Sequence, residues 1–297
     1  MNFSLLFRKF KTLLKLLAGA VKYEFVIKKY KLPTILSIDE TIDLVTKEKL
    51  SVARFGDSEY LYLTGKSDGL QKTNKNLSND LKRAMLSRNP KLLVCLVDYE
   101  DIDDKTLMAK MSAKMFHART ISKYYHLLDQ NYKYGNSNMT RFYIGRKDKS
   151  NSQILFNKCK KLWDQRDIII FEGQFTRFGY GNDLFENANS VRRVICPSKG
   201  AYDVYDKIIS YAQTFPKDLL IIFALGASAT VAASDLTDVG YQVIDIGNLD
   251  IEYEWFLSGA QSAVPIAKKQ VSEVADITSA LDLKDKIYES QIIKKLI

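Results

Sequence analysis

The stretch LLIIFALGASATVAASDLTDVGYQVIDI, residues 219–246, decides the fold class of this chain. Its pattern predicts an apolar strand from Leu219 to Ala224, a helix from Ala227 to Val239 and a second strand from Tyr241 to Ile246. The same alternation is predicted upstream, with strands at 167–171 and 192–195 and a helix at 201–214. Alternating strands and helices predict an α/β fold, a Rossmann-like and mostly parallel sheet with helices on both faces.

Composition indicates a single packed body. The chain has 297 residues with 46% hydrophobic content, which is enough for a core and excludes a disordered chain. Three cysteines without close spacing give neither a disulfide framework nor a zinc signature, which is typical of a reducing compartment. We expect a basic helical segment at 1–34 and an α/β domain at 35–297 that ends in a helical extension after Pro265.

Most of the positive charge lies in the N-terminal segment. Residues 1–31 hold eight Lys or Arg against Glu24 alone, while the net charge of the whole chain is +9. Because the remaining body is close to neutral, binding of nucleic acid is not predicted. Apolar residues recur there at helical spacing, which predicts an amphipathic helix. It can lie on an anionic membrane, or it can pack on its own domain or a second subunit. A secretory signal is a weaker alternative, suggested by Ala18-Gly19-Ala20.

Two acidic clusters are the main candidates for chemistry. Asp57 and Glu59 follow a short apolar run, and on an extended segment residues two apart point the same way. Two such carboxylates can share a divalent cation, which can then bridge to a diphosphate. Asp250, Glu252 and Glu254 would form one acidic face if extended, or would begin a helix, and a purely structural role stays open.

Two loops at predicted strand ends are further candidates. Gly226-Ala227-Ser228 opens a helix after a buried strand, where free amides favour phosphate, although it can also be a plain turn. The loop 172–183 carries a Glu, an Arg and an Asn-Asp pair at the end of the strand 167–171. It is either a ligand site or a turn held by an ion pair of Arg177 with Glu172 or Asp183.

Together these segments resemble the GT-D-fold glycosyltransferases, a bacterial family first catalogued as a domain of unknown function. The resemblance runs in order from about residue 35 to 275, but not over the N-terminal helix. The segments that carry it are RFGDSE at 54–59, TRFY at 140–143, EGQFTRFGYGNDLF at 172–185, LGASAT at 225–230, DIGNLDIEYEW at 245–255 and the spacing of Lys269 to Glu273.

The resemblance implies a metal-dependent hexosyltransferase that moves a sugar from a UDP-sugar such as UDP-glucose to a growing glycan. It implies Mn²⁺ or Mg²⁺ at Asp57 and Glu59, with Asp57, Glu59, Asp250 and Glu252 as catalytic residues. One departure is Asn248, where the family usually has His; an amide cannot titrate, so no proton transfer is expected there. The residues expected to bind the substrates are Arg54, Phe55, Gly56, Arg141, Glu172, Arg177, Asn182, Asp183, Gly226, Ala227, Ser228, Asn248, Glu254 and Lys269.

Three other functions remain open on the sequence alone. The first is a basic scaffold that binds nucleic acid through residues 1–31 and not through the body of the protein. A Rossmann methyltransferase would bind its cofactor at the Gly226 turn and grip a ribose with Asp245. A non-catalytic sugar-nucleotide or glycan-binding module is compatible with Asn248. For the enzyme we expect a cytoplasmic location, peripheral on the inner membrane face, with a glycan acceptor that is lipid-linked or carried on protein.

Overall fold

A computed structural model describes residues 3–271 and 284–297, without the side chains of residues 3–9, 12 and 13. Within these residues all strands form one parallel sheet in the order β3-β2-β1-β7-β6-β4-β5-β8. The strands are β1 Ser51–Phe55, β2 Leu92–Leu96, β3 Gly135–Asn136, β4 Asp167–Gly173, β5 Ser190–Cys196, β6 Leu220–Ala224, β7 Gln242–Asp245 and β8 Ile292–Lys295. The predicted fold class is confirmed.

Helices surround this sheet. They are α1 Phe3–Lys29, α2 Ile38–Glu48, α3 Asp57–Leu63, α4 Lys75–Leu86, α5 Leu107–Tyr124, α6 Ser152–Lys160, α7 Tyr205–Ala212, α8 Ala227–Asp238, α9 Leu249–Leu257 and α10 Lys286–Gln291. The prediction that the chain after Pro265 is helical was wrong in part, because the short α10 is followed by the edge strand β8, which pairs with β5. Glu273, part of the motif spacing above, lies outside the described residues.

The central strands are apolar on both faces because helices cover both sides. In β6, Ile221 and Phe223 belong to one core cluster, while Leu220 and Ile222 belong to a second cluster on the opposite face. The continuous apolar run of β6 in the sequence follows directly from this double burial.

The order of the strands indicates where a binding crevice lies, at the carboxyl ends of β1 and β7. From β1 the chain continues outwards through β2 to β3, whereas β7, formed much later, lies against β1 on its other side. At such a reversal the loops after neighbouring strands diverge, and ligands bind beyond the carboxyl ends of the strands. The loops after β1, β6 and β7 therefore frame the candidate site.

Helix α1 packs on α5. Leu16, Tyr23 and Val26 are buried, and the Tyr23 hydroxyl donates to the Tyr99 carbonyl over 2.8 Å. A Cβ on Gly19 would lie 2.6 Å from Met115 Cβ, so only glycine permits this close approach. One face of α1 thus docks on its own domain, one of the alternatives that the sequence left open. None of the described helices combines the length and apolarity needed to cross a bilayer.

The same interface encloses a histidine. His117 is 3% exposed and its ring lies 5.1 Å from that of Tyr99. Neither ring nitrogen has a hydrogen-bond partner among the described residues. Burial, with help from the charge of Lys105, lowers the pKa of His117 to about 3. The folded protein therefore keeps this imidazole neutral over a pH range in which the unfolded chain protonates it.

We expect His117 to make the fold sensitive to acid. Between its unfolded pKa near 6.5 and about 3, the unfolded state binds a proton that the folded state does not, so stability falls as pH falls. From pH 6.5 to 5 the loss from this residue is up to about 2 kcal/mol. Urea unfolding at both pH values should show a smaller drop for His117→Phe than for the wild type. The exposed His126 provides the control, His126→Phe; an equal drop in wild type and His117→Phe contradicts the assignment.

Candidate active site

A cavity of about 890 Å³ opens at the carboxyl edge of the sheet. Its walls come from the segments that follow β1, β2, β4, β6 and β7, together with one face of α5. Of the predicted site residues, those that line it are Arg54, Gly56, Asp57, Glu59, Arg141, Gly226, Ala227, Ser228, Asn248 and Asp250. Those that do not line it are Phe55, Glu172, Arg177, Asn182, Asp183, Glu252, Glu254 and Lys269.

Asp57 and Glu59 do not lie on an extended segment; that prediction was wrong. The chain turns at Gly56, and the two acids occupy the first turn of α3. Residues two apart in a helix lie about 200° apart around its axis, so their side chains point to nearly opposite sides. Glu59 is buried and its Oε2 accepts the Gly56 amide over 2.8 Å, which caps the helix. Asp57 is exposed to the cavity. Capping by Glu59 is the reason why a helix begins here.

The two carboxyls also differ in their electrostatics. Burial, reinforced by the charge of Asp245, raises the pKa of Glu59 to about 7. Partial loss of water within the cleft raises the pKa of Asp57, and the nearby charge of Arg141 opposes that rise. Asp57 is thus the acid of this pair that is exposed to the cavity, and Arg141 is a cation whose charge acts on it.

Arg54 lines the cavity and connects three segments of the chain through its hydrogen bonds. Its Nη2 lies 3.0 Å from Asp245 Oδ1, its Nε donates to the Asp245 carbonyl and its Nη1 donates to the Ser137 carbonyl. A Cβ on Gly247 would lie 1.9 Å from Arg54 Nη2, so this packing requires glycine. The Thr230 hydroxyl also donates to Asp245, over 3.1 Å. The buried Asp245 is therefore already bonded, which disfavours the ribose contact of a methyltransferase.

The loop after β4 is held by contacts inside the protein. Glu172 is fully buried and accepts from Arg193 Nη1 over 2.7 Å, from the Phe178 amide and from the Tyr288 hydroxyl. Arg177 donates instead to the Lys268 carbonyl over 2.5 Å. Neither ion pair of Arg177 that the sequence allowed forms in the described structure. The missed partner is Arg193, and the available signal was the Arg192-Arg193 pair inside strand β5.

The acidic cluster after β7 forms the helix α9, so the extended alternative does not apply. Asp250 and Glu254, four residues apart, face the buried Lys269, whose Nζ lies 2.8 Å and 2.7 Å from their carboxylates. Asn182 donates to both acids as well, over 2.7 and 2.8 Å. This network joins α9 to the loop after β4.

Glu252 and Asp183 also act within the protein. Glu252 Oε2 accepts the amides of Tyr143 and Ile144 over 2.7 and 3.0 Å, which fixes the segment that carries Arg141. Asp183 pairs with Lys160 over 2.6 Å.

The turn after β6 has a backbone conformation that lets a ligand come close to the main chain. Gly226 adopts φ 56° and ψ −141°, a conformation that is largely confined to glycine, and a Cβ built there would meet no atom within 4 Å. Ala227 and Ser228 follow as the first turn of the 12-residue α8 and line the cavity. The first amides of a helix have no acceptor within it, so this wall offers N–H donors.

The described residues contain no group of three or more His, Cys, Asp or Glu side chains that could hold a metal ion by themselves. Asp57 is one of the carboxylates that line the cavity, and the small residues of the Gly226 turn line it as well. That donor set fits Mg²⁺ or Mn²⁺, since such ions are often bound through one or two carboxylates together with substrate phosphates. Glu59 fits less well as a direct ligand because its Oε2 caps α3.

Sequence reasoning missed one side of the cavity. Asp98, which follows β2, and the face of α5 formed by Ala109, Ser112, Ala113 and Phe116 line it as well. The spacing of those α5 residues is that of one helical face, but nothing in their composition distinguishes a cavity wall from a packed surface.

Comparisons with known proteins identify the family of this chain. The model of the Glycosyltransferase GT-D fold family matches residues 52–274. A probable glycosyl transferase Gly of Streptococcus gordonii is 34% identical over 89% of this chain, and glycosyltransferase GlyD of Streptococcus pneumoniae serotype 4 is 33% identical over 89%. The chain spans only 39% and 32% of the length of these two relatives.

Solved structures show the same similarity. One is a structure of the highly conserved domain of unknown function 1792, which is described as having a distinct glycosyltransferase fold. It has a TM-score of 0.86 at 34% identity, and the match covers 92% of this chain and 99% of that one. A new glycosyltransferase of the same domain from Streptococcus sanguinis has a TM-score of 0.85 at 34% identity, with 90% and 100% covered.

Replacement of Lys269 should destabilise the fold strongly. Lys269→Met leaves the buried Asp250 and the half-buried Glu254 without their cation, and breaking the buried pair with Asp250 costs about 3–5 kcal/mol. Chemical denaturation measures the loss. The neighbouring side chain of Lys268 is exposed, so Lys268→Met should change stability by no more than about 0.5 kcal/mol. Equal stability of the two variants would show that the network contributes little.

Proposed function

The chain belongs to the GT-D-fold glycosyltransferase family, and from this we propose that it transfers a hexose from a UDP-sugar to a glycan acceptor with the help of Mn²⁺ or Mg²⁺. UDP-glucose is the donor that we would test first. The observation that carries the proposal is the cavity itself, in which a solvent-facing Asp57 and the Gly226 turn line the same space. A carboxylate for a cation and a helix N-terminus for phosphate are what a nucleotide diphosphate requires.

Asp57 would hold the ion, which when bound offsets the charge that develops on the leaving diphosphate. The amides at the start of α8 would bind diphosphate oxygens, and Gly226 leaves room for that approach. Arg141 is the cation that we assign to the donor, since it lines the cavity and acts on Asp57. Arg54 and Arg177, which the sequence suggested for phosphate, bond to Asp245 and to the Lys268 carbonyl instead.

The acids after β7 have a different role in this proposal. Asp250 is bonded through both oxygens to Lys269, and Glu252 is bonded to two backbone amides. Both oxygens of Asp250 are therefore occupied, and Glu252 does not line the cavity, so we assign these two acids to the support of the site and not to the acceptor proton. Asn248 begins α9 and lines the cavity, where its amide can bond a donor hydroxyl.

Replacement of Asp57 should abolish turnover without unfolding the protein. In Asp57→Asn, release of UDP from UDP-glucose with Mn²⁺ should fall at least about 100-fold, because the ion loses its carboxylate ligand. Glu59→Gln should lose less, because an amide oxygen can still accept the Gly56 N–H. Full activity of Asp57→Asn, or activity that persists in excess chelator, contradicts the proposal. Tight binding of UDP without turnover on any acceptor or on water would instead favour a non-catalytic binding module.

The outer face of α1 suggests where the enzyme works. Phe10, Leu14, Leu17, Val21 and Phe25 recur at helical spacing and are exposed, with Phe25 74% accessible. Exposed lysines flank this stripe, among them Lys15, Lys22 and Lys29. An apolar stripe edged by lysines fits an anionic bilayer surface, where each nearby cation contributes about 1 kcal/mol. We propose that α1 rests on such a surface, next to a lipid-linked or membrane-associated acceptor.

Sedimentation with vesicles tests this location. The full chain should pellet with phosphatidylglycerol-containing vesicles and less so in high salt. Phe10→Ser combined with Phe25→Ser should weaken binding at least about tenfold, since burial of each ring contributes roughly 1.5–3 kcal/mol. Ile287→Ser removes an exposed apolar side chain elsewhere and serves as the control. Equal pelleting of all three proteins would refute the membrane surface.

A further inference from the structure

Two carboxylates leave neighbouring strands at equivalent positions. Strands β1 and β2 are parallel and pair Phe55 with Leu96. Asp57 lies two residues beyond the first of these, and Asp98 lies two residues beyond the second. Both side chains line the same cavity. The register of the sheet therefore brings Asp98 to the same edge and the same cavity as the acid that we assign to the donor.

The other carboxylates that line this cavity are committed elsewhere within the described structure. Glu59 caps α3 and Asp250 pairs with Lys269. Asp68 is exposed in the loop after α3, whereas Asp98 is half-buried, and Asp68 accepts from the Tyr62 hydroxyl and from the Leu70 amide. Asp57 is required for the ion in the proposed function. Asp98 is the acid that remains for the second substrate.

The surroundings of Asp98 hold it in place and leave one oxygen available. Its Oδ1 accepts the amides of Glu100 and Asp101 over 3.0 and 3.2 Å, and no bond to its Oδ2 is recorded among the described residues. The side chain is half-buried. Burial raises the pKa of this carboxyl, while its two amide bonds lower it. A carboxylate with partly removed water is a stronger proton acceptor than one in bulk solvent.

The cavity that Asp98 lines also has room for a sugar. Ala109, Ser112 and Ala113 form one face of α5 on this cavity, and their small side chains leave space that larger ones would fill. Phe116 lies on the same face and provides an aromatic surface one helical turn further along. An apolar ring surface combined with a carboxylate suits the two sides of a sugar ring.

We propose that Asp98 is a catalytic residue that binds the attacking hydroxyl of the acceptor sugar and receives its proton, a role that rests on the proposed function. In the step, the acceptor oxygen forms a bond to the anomeric carbon while the bond from that carbon to the diphosphate oxygen breaks. The hydroxyl proton passes to Asp98, and the bonding electron pair leaves with UDP. The carboxyl then returns the proton to solvent.

Asp98→Asn is the sharpest test, because its amide oxygen still accepts the amides of Glu100 and Asp101 but cannot take a proton. The reaction to follow is release of UDP from UDP-glucose with Mn²⁺ and water as the acceptor. We expect kcat to fall about 10²–10⁴-fold. The KM for UDP-glucose and the Kd for UDP should stay within about twofold of the wild type. Glu100→Gln removes the same charge from an exposed side chain of the same loop and should leave the rate unchanged.

The outcomes separate this role from the proposed function. If Asp98→Asn binds UDP and cleaves UDP-glucose at the wild-type rate, Asp98 is not the proton acceptor and the proposed function stands. If Asp98→Asn raises the Kd for UDP as strongly as it lowers kcat, Asp98 belongs to the donor site and the proposal is overturned. If the wild type neither binds nor hydrolyses UDP-glucose and related UDP-sugars, the proposed function fails and this role fails with it.

Discussion

The ion pair between Arg54 and Asp245 is the contact on which the site depends. It joins the ends of β1 and β7, the two strands at the reversal of the sheet, and extends to α8 through Thr230 and to the turn at Ser137. Gly247 is required so that the guanidinium fits. Because the pair is largely buried, loss of one partner would leave an uncompensated charge under the cavity floor. The pair thus connects four segments at the carboxyl edge of the sheet: the ends of β1 and β7, the turn at Ser137 and α8.

The polar residues considered for the site divide into two groups by what they contact. Asp57, Asp98 and Arg141 line the cavity. Glu172, Asn182, Lys269 and Glu254 bond to other protein groups and connect loops that would otherwise move independently. A buried charge is tolerated only when it is paired, so the second group fixes geometry and leaves little capacity for a substrate. Several residues of the motifs thus hold the loops of the site in place, and others face the cavity where a substrate would bind.

The fold could be predicted from sequence because it depends on local signals. The apolar runs and helix starts between Leu219 and Ile246 specify strand, helix and strand with little ambiguity. The geometry of the site depends on contacts between distant residues, and these were not predictable. The side chains of Asp57 and Glu59 were expected to point in the same direction. Instead a helix begins at Asp57, and Glu59 caps it by accepting the Gly56 amide. The partner of Glu172 is Arg193 rather than Arg177, and Asp98 became a candidate only through the register of β1 and β2.

The central claim is that Asp57 and the start of α8 together hold a cation and a nucleotide diphosphate. A crystal structure of the protein soaked with UDP and Mn²⁺ tests it most directly. The account predicts an ion about 2.1 Å from a carboxylate oxygen of Asp57, bridged to a diphosphate whose oxygens accept the amides of Ala227 and Ser228. An ion and nucleotide bound elsewhere, with Asp57 facing only water, would contradict it.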